Sequence, residues 1–134
     1  MSNERLRLRV VTPVRVVVQT DADDVQVPAA LGIIDILPGH APLLASLRTG
    51  ELSYRLDDDT RHMAVFGGFV EVKDNAVVVL ADSAELPDEI DAEAAQAARR
   101  AAEETMRTQG GDALDDARCQ LDAANTRIAV STRH

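Results

Sequence analysis

Aromatic side chains are almost missing. Tyr54, Phe66 and Phe69 are the whole complement and there is no tryptophan. Without stacking platforms, recognition of sugars or single-stranded nucleic acid is disfavoured. Cysteine occurs once, at Cys119, which excludes an internal disulfide and any cysteine-based zinc site and fits a reducing compartment. Basic charge is scarce, with 14 Lys and Arg against 23 Asp and Glu, a net −9. Nucleic acid and anionic membranes would repel such a chain. No run approaches the ~18 apolar residues of a membrane span. The opening MSNERLRLRV lacks the apolar core of a signal peptide. The expectation is a chain that is cytosolic or peripheral to a larger body.

Catalytic patterns are missing too. His40, His62 and His134 share no i, i+4 spacing, and no further ligands converge on them in sequence. Gly67-Gly68 is followed by neither lysine nor a helical pattern, so it is no P-loop. Ser46 and Ser83 lack the flanking glycines of a nucleophile elbow. The acidic run 57–59 lacks the ligand spacing and glycine of an EF-hand and reads as a solvated turn. No metal site and no cofactor is expected.

What remains is a two-part chain of 134 residues, long enough to bury a core. Up to about residue 85 it reads as short strands. Leu6, Leu8 and Val10 alternate with Arg5, Arg7 and Arg9, the period of a half-buried strand. Thr12-Pro13 is a turn, and Val14, Val16 and Val18 begin the next strand. Residues 21–24 read as a polar turn before Val25 and Val27 resume. Leu52, Tyr54 and Leu56 alternate with polar neighbours, 57–60 make a loop, and 61–66 form another strand. Gly67-Gly68 marks a corner or bulge, and Asp74-Asn75 a hairpin turn. Ala76–Ala81 is apolar throughout and predicts a strand covered on both faces. Strands this short, separated by turn residues at intervals of ~8–12, predict a sandwich or barrel.

Beyond Leu86-Pro87 the pattern is helical. Asp91 is an N-cap candidate and residues 92–107 are alanine-rich, with neither glycine nor proline. Ala95, Ala98, Ala102 and Met106 form one stripe. Leu114, Ala117, Leu121, Ala124 and Ile128 form a second after the break at 109–112. An antiparallel hairpin of two helices follows, with Cys119 as a small packing residue near its seam. Its facing residues bury little apolar area, so it depends on docking to the head or to a partner. A movable element and a permanently docked cap both satisfy that pattern. The predicted parts are a head at 1–86 and a hairpin at 87–134.

Residues 36–44, ILPGHAPLL, form the most distinctive segment. Pro38 and Pro42 bracket Gly39, His40 and Ala41, making a stiff loop anchored by apolar flanks. Such a loop loses little entropy on docking. It serves equally as a tight crossover between sheets.

This loop is followed by Arg48-Thr49-Gly50, by VFGGFVEV at 65–72, by VVVLAD at 77–82 and by an alanine-rich hairpin. That series resembles the epsilon subunit of bacterial F-type ATP synthases, called delta in mitochondria, across essentially the whole chain. The resemblance implies an all-β N-terminal domain, a flattened ten-stranded β-sandwich, followed by a C-terminal α-helical hairpin. It implies a non-catalytic subunit of the rotating central stalk. Its partners would be the gamma subunit, the polar loops of the membrane c-ring and, transiently, the α/β catalytic subunits. It would lie at the cytoplasmic face of the bacterial inner membrane without lipid insertion, coupling ion translocation to ATP synthesis.

Carried over by residue, Pro38, Gly39, His40, Ala41 and Pro42 would face the c-ring. Arg118, Arg127 and Arg133 on the second helix are the candidates for the basic residues by which an extended hairpin would inhibit ATP hydrolysis, and each serves equally as a solvated surface charge. One helix of 91–107 spans ~25 Å at ~1.5 Å per residue, so an extended hairpin reaches far along the stalk. The family's nucleotide motif is degenerate here. Ile90, Asp91 and Ala95 match, but Ala94 stands where an arginine would pair with phosphate, so ATP sensing is expected to be weak or absent. Asp35 also departs from the family, which usually has glycine before this loop. The alternatives from the residues alone are a stand-alone ligand-binding sandwich with a helical cap and a cupin-like metal site using His40.

Overall fold

A computed structural model of the chain describes residues 4–133. Met1–Asn3 and His134, the third histidine of the sequence, lie outside the described residues. Ten strands come first: β1 (Leu6–Val11), β2 (Val16–Ala22), β3 (Asp24–Ala29), β4 (Gly32–Ile36), β5 (Leu43–Leu47), β6 (Gly50–Leu56), β7 (Asp59–Val65), β8 (Gly68–Lys73), β9 (Ala76–Ala81) and β10 (Ala84–Glu85). A 3₁₀ turn, Pro87–Glu89, leads to α1 (Ala92–Thr108) and α2 (Gly111–Ser131).

The strands run in the order β10-β7-β6-β3-β5-β8-β9-β1-β2, with β4 attached to β3 alone. All pairs are antiparallel except β1 with β9. One residue pair, Ala29 with Leu47, joins β3 to β5, and there the sheet folds over. The two layers close on one core. Leu6, Leu8 and Val10 of β1 meet Val25 and Val27 of β3, Leu52 of β6, Met63 and Val65 of β7 and Val77 and Val79 of β9. These inward positions recur every second residue, the period read from the sequence.

Two local devices set the register. Asp74 and Asn75 have φ of 51° and 63°, the left-handed pair of a two-residue hairpin. Gly68 has φ of 122°, and a Cβ there would lie 2.1 Å from the Leu80 carbonyl oxygen. The β8–β9 approach therefore requires glycine.

Some sequence expectations shift. The second strand starts at Val16, and Val14 is solvent-exposed in the turn, where Thr12 Oγ1 accepts from the Val14 and Arg15 amides. The polar stretch 21–24 is mostly strand, and only Asp23 interrupts it. Asp59 and Thr60 open β7 instead of completing the loop, because they pair with Leu56 and Arg55. β9 is buried on one face only: Val77, Val79 and Ala81 point inward, whereas Leu80 is 55% exposed. An apolar run alone cannot distinguish a strand covered twice from one whose outer face awaits a partner.

Two helices form a hairpin, with α2 beginning at Gly111, inside the stretch expected to separate them. Asp91 caps α1 by accepting from the Ala94 amide at 3.0 Å. Ala95 and Ala102 of α1 and Ala117 and Ala124 of α2 are buried. Ala98, placed by its spacing in the seam, is exposed, and half-buried Arg99 stands nearer the inner face. Cys119 is exposed and not a packing residue. It sits two positions from Ala117, about 200° around the helix, so it faces away from the seam. Val130 at the end of α2 is fully buried, where α2 meets β6 and β7.

Candidate functional site

Three surfaces have the chemistry of contact sites, and none has that of catalysis. The first is the loop 37–42 at one end of the sandwich. The Gly39 amide donates to Asn75 Oδ1 at 2.8 Å, and the His40 amide closes a turn onto the Leu37 carbonyl at 3.1 Å. Gly39 has φ of 86°, a left-handed conformation its missing Cβ permits. Asn75 is held in turn, since its Nδ2 donates to Glu4 at 3.3 Å. His40 Nδ1 lies 2.7 Å from the Ala41 carbonyl oxygen, so that nitrogen carries the proton and the ring is fixed. Pro38 and His40 are half-buried while Gly39, Ala41 and Pro42 are exposed. No group of three potential ligands surrounds His40 or any other described residue. The sequence read Asn75 only as a turn residue. Its brace across 36 positions belongs to the tertiary fold.

The second surface is the outer face of the sheet. The registers align Ser46, Phe69, Leu80, Val11 and Val16 in one row across β5, β8, β9, β1 and β2. Phe69 is 53% exposed, and Leu44, beside this row, is 71% exposed. An apolar stripe of this extent on a charged protein marks a contact surface.

The third is the seam between head and hairpin. Arg127 grips Glu85 in a two-pronged contact, Nε to Oε1 and Nη2 to Oε2 at 2.9 Å each. Its guanidinium also lies 4.6 Å from the centre of the Phe66 ring. Arg133 grips Glu51 in the same way at 3.1 and 3.3 Å. Arg15 binds Glu89 at 2.7 Å, and Glu89 also accepts from the Leu86 amide at 2.8 Å, which ties the linker to the β1–β2 turn. These contacts hold the Glu89 carboxyl below its ordinary range, Arg15 contributing most. Arg118 is exposed and makes no ion pair among the described residues. The three arginines grouped by the sequence are thus not brought together: two serve the seam and one faces solvent.

The degenerate motif lies beside this seam. A cleft of about 480 Å³ is lined by Asp91, Ala94 and Ala95 together with Arg15, Glu85, Glu89 and Arg127. Asp91 is committed to the helix cap. Both arginines are neutralised by glutamates, and Ala94 contributes only a methyl group.

A model of the beta-sandwich domain of the ATP synthase delta/epsilon chain matches residues 5–87. The chain belongs to that family. An ATP synthase epsilon chain of Koribacter versatilis is 42% identical over 107 residues, 80% of this chain and 75% of the relative. Epsilon chain 2 of Syntrophotalea carbinolica is 39% identical over 132 residues, 97% of this chain and 96% of that one, so the likeness includes the hairpin. A chain in the mitochondrial ATP synthase of Euglena gracilis shares the fold, with a TM-score of 0.84 at 19% identity, over 93% of this chain and 80% of that one. A chain of the Tetrahymena thermophila central stalk and c-ring assembly shares it at a TM-score of 0.65 and 15% identity, covering 98% and 100%. The protein is accordingly a non-catalytic epsilon-type subunit of the ATP synthase central stalk, a sandwich followed by a helical hairpin. No helix among the described residues is long and apolar enough to cross a membrane.

Proposed function

We propose that this subunit couples rotation of the membrane c-ring to the catalytic hexamer, and that its hairpin restrains ATP hydrolysis when it leaves the head. The braced loop carries the first half of the reading. Pro38, Gly39, His40, Ala41 and Pro42 form a docking edge whose shape is set before contact, as torque transfer requires. The outer stripe around Phe69 and Leu80 is the surface for the gamma subunit, where a stalk helix would cover apolar area now left to water. The subunit then works peripherally at the cytoplasmic face of the bacterial inner membrane, through protein contacts and not through lipid or nucleic acid.

For the hairpin, the seam supports a switch. Arg127 and Arg133 are held by Glu85 and Glu51 in the docked state. Lifting the hairpin frees both guanidinium groups, and with Arg118 they would offer three basic side chains to an acidic segment of the α/β subunits. Docking to the head and gripping the hexamer are mutually exclusive uses of the same groups.

Reconstitution with the cognate catalytic complex tests this. Full-length protein should slow ATP hydrolysis relative to a chain ending after Glu85. Both should bind the stalk, since the head keeps its loop and stripe. Equal hydrolysis rates would refute the restraint and leave the coupling role standing. Failure of either form to bind the stalk and ring would refute both.

A further inference from the structure

Asp24 opens β3, and Asp35 lies on β4 opposite Gln26. That register sets Asp24 diagonal to Asp35 on the same outer face, and the two carboxyls interact across it. Asp24 Oδ1 is shielded from solvent and accepts no hydrogen bond from any described residue. Arg55 stands opposite Asp24 in the β3–β6 ladder. Its guanidinium instead reaches Asp23 Oδ2 at 3.5 Å and the Asp57 carbonyl at 3.1 Å. Arg5 is likewise taken by Asp23 and Asp57. β5 touches β3 only at the far end, through Ala29 and Leu47, and brings no charge here. The side chain that meets Asp24 is therefore another carboxyl, Asp35.

Two ionised carboxylates only accept hydrogen bonds, and they repel each other. With one proton between them, one O–H donates to the other oxygen. We propose that Asp24 and Asp35 share a single proton that clasps the edge strand β4 to β3, and that losing it loosens β4 and the 37–42 loop that continues it. The strand is suited to such control. It pairs with β3 alone, and it enters the core mainly through Ile36.

Burial, then the contact with Asp35, raises the Asp24 carboxyl from 3.8 to about 6, against a smaller opposing pull from Arg55. The folded value lies above the unfolded one. The clasp is therefore complete in acid and is lost as pH rises through about 6. A gap of this size permits up to ~100-fold in local opening. Solvent screening around a pair that is only partly shielded brings that to ~10-fold.

The loop's use as a ring contact rests on the function proposed above, but the clasp does not, so it is tested on the isolated full-length subunit. Carboxyl-carbon NMR between pH 4 and 8 should show Asp24 titrating near 6, far from its ordinary value. Hydrogen exchange, corrected for its intrinsic pH dependence, should show β4 amides losing ~10-fold protection between pH 5 and 8 while β8 amides keep theirs. In Asp35→Asn the amide donates permanently in place of the proton. Protection of β4 should then depend less on pH, and Asp24 should move part of the way back toward its ordinary range, because its burial remains. Asp24→Asn is the reciprocal variant and should remove the same pH dependence. An Asp24 midpoint near 4 in the parent protein would overturn the proposal. So would an undiminished pH-dependent loosening of β4 in either variant.

Discussion

The Arg127 fork predicts how tightly the hairpin rests on the head, and Arg127→Ala is the perturbation that measures it. The contact comprises two charge-assisted hydrogen bonds to Glu85 at 2.9 Å and a cation–π contact with Phe66 at 4.6 Å. Its side chains are 36% and 26% exposed, so the pair is partly shielded but not dry. A hydrogen-bonded charge contact of this kind contributes ~1.5 kcal/mol after screening, and the ring adds ~0.5 kcal/mol. Loss of about 2 kcal/mol shifts the docking equilibrium ~30-fold toward release. The Arg133 pair is more exposed, at 47% and 26%, and should give only ~0.5 kcal/mol. Cys119, the one cysteine and exposed, takes a spin label without further engineering, and Asp58→Cys supplies the second site on the head. Parent protein should give a single narrow distance distribution. Arg127→Ala should add a longer, broader population, and Arg133→Ala much less of one. Combining Glu85→Arg with Arg127→Glu should restore part of the docked population, because the pair is then reversed and not removed. If Arg127→Ala keeps the parent distribution and the parent protection of α2 amides, the fork is a passive surface contact and the switch reasoning fails.

Three further outcomes are expected. Gly68→Ala drives a Cβ against the Leu80 carbonyl at a backbone conformation that side chains avoid, and should cost about 3 kcal/mol or more; thermal unfolding should show a clearly lowered Tm, and an unchanged Tm would contradict the β8–β9 geometry. Asn75→Ala removes the acceptor for the Gly39 amide and disfavours φ of 63°, so the Gly39 amide should exchange ~10-fold faster while core strands keep their protection. Titration of the isolated subunit with ATP should give no binding in the micromolar range, because Ala94 offers no guanidinium and Arg15 and Arg127 are already paired; micromolar binding would contradict that.

The order of strands before helices, most strand positions and the Asp91 cap were legible because each depends on residues close in sequence. Period two in residues 6–10, the 74–75 turn and the alanine stripe are local patterns. The stiff loop was legible from its two prolines. Exposure of Leu80 and Ala98 depends on which layer lies opposite, and no window of sequence contains that information. Cys119 is different, because its offset of about 200° from Ala117 is a local pattern that already turns it away from the seam. The three arginines looked alike because charge and spacing record a side chain's type and not its partner.

Composition and periodicity by themselves therefore determined an acidic sandwich or barrel followed by a thinly packed helical hairpin, since those properties arise from alternation and propensity within each segment. Tertiary structure alone decided that Glu85 and Glu51 hold Arg127 and Arg133, that Asn75 braces Gly39, and that the shielded Asp24 lies diagonal to Asp35 across β3 and β4. Each pairing joins distant parts of the chain. The energy of such a contact depends on the distance and shielding of the two groups, and only the folded layers set those.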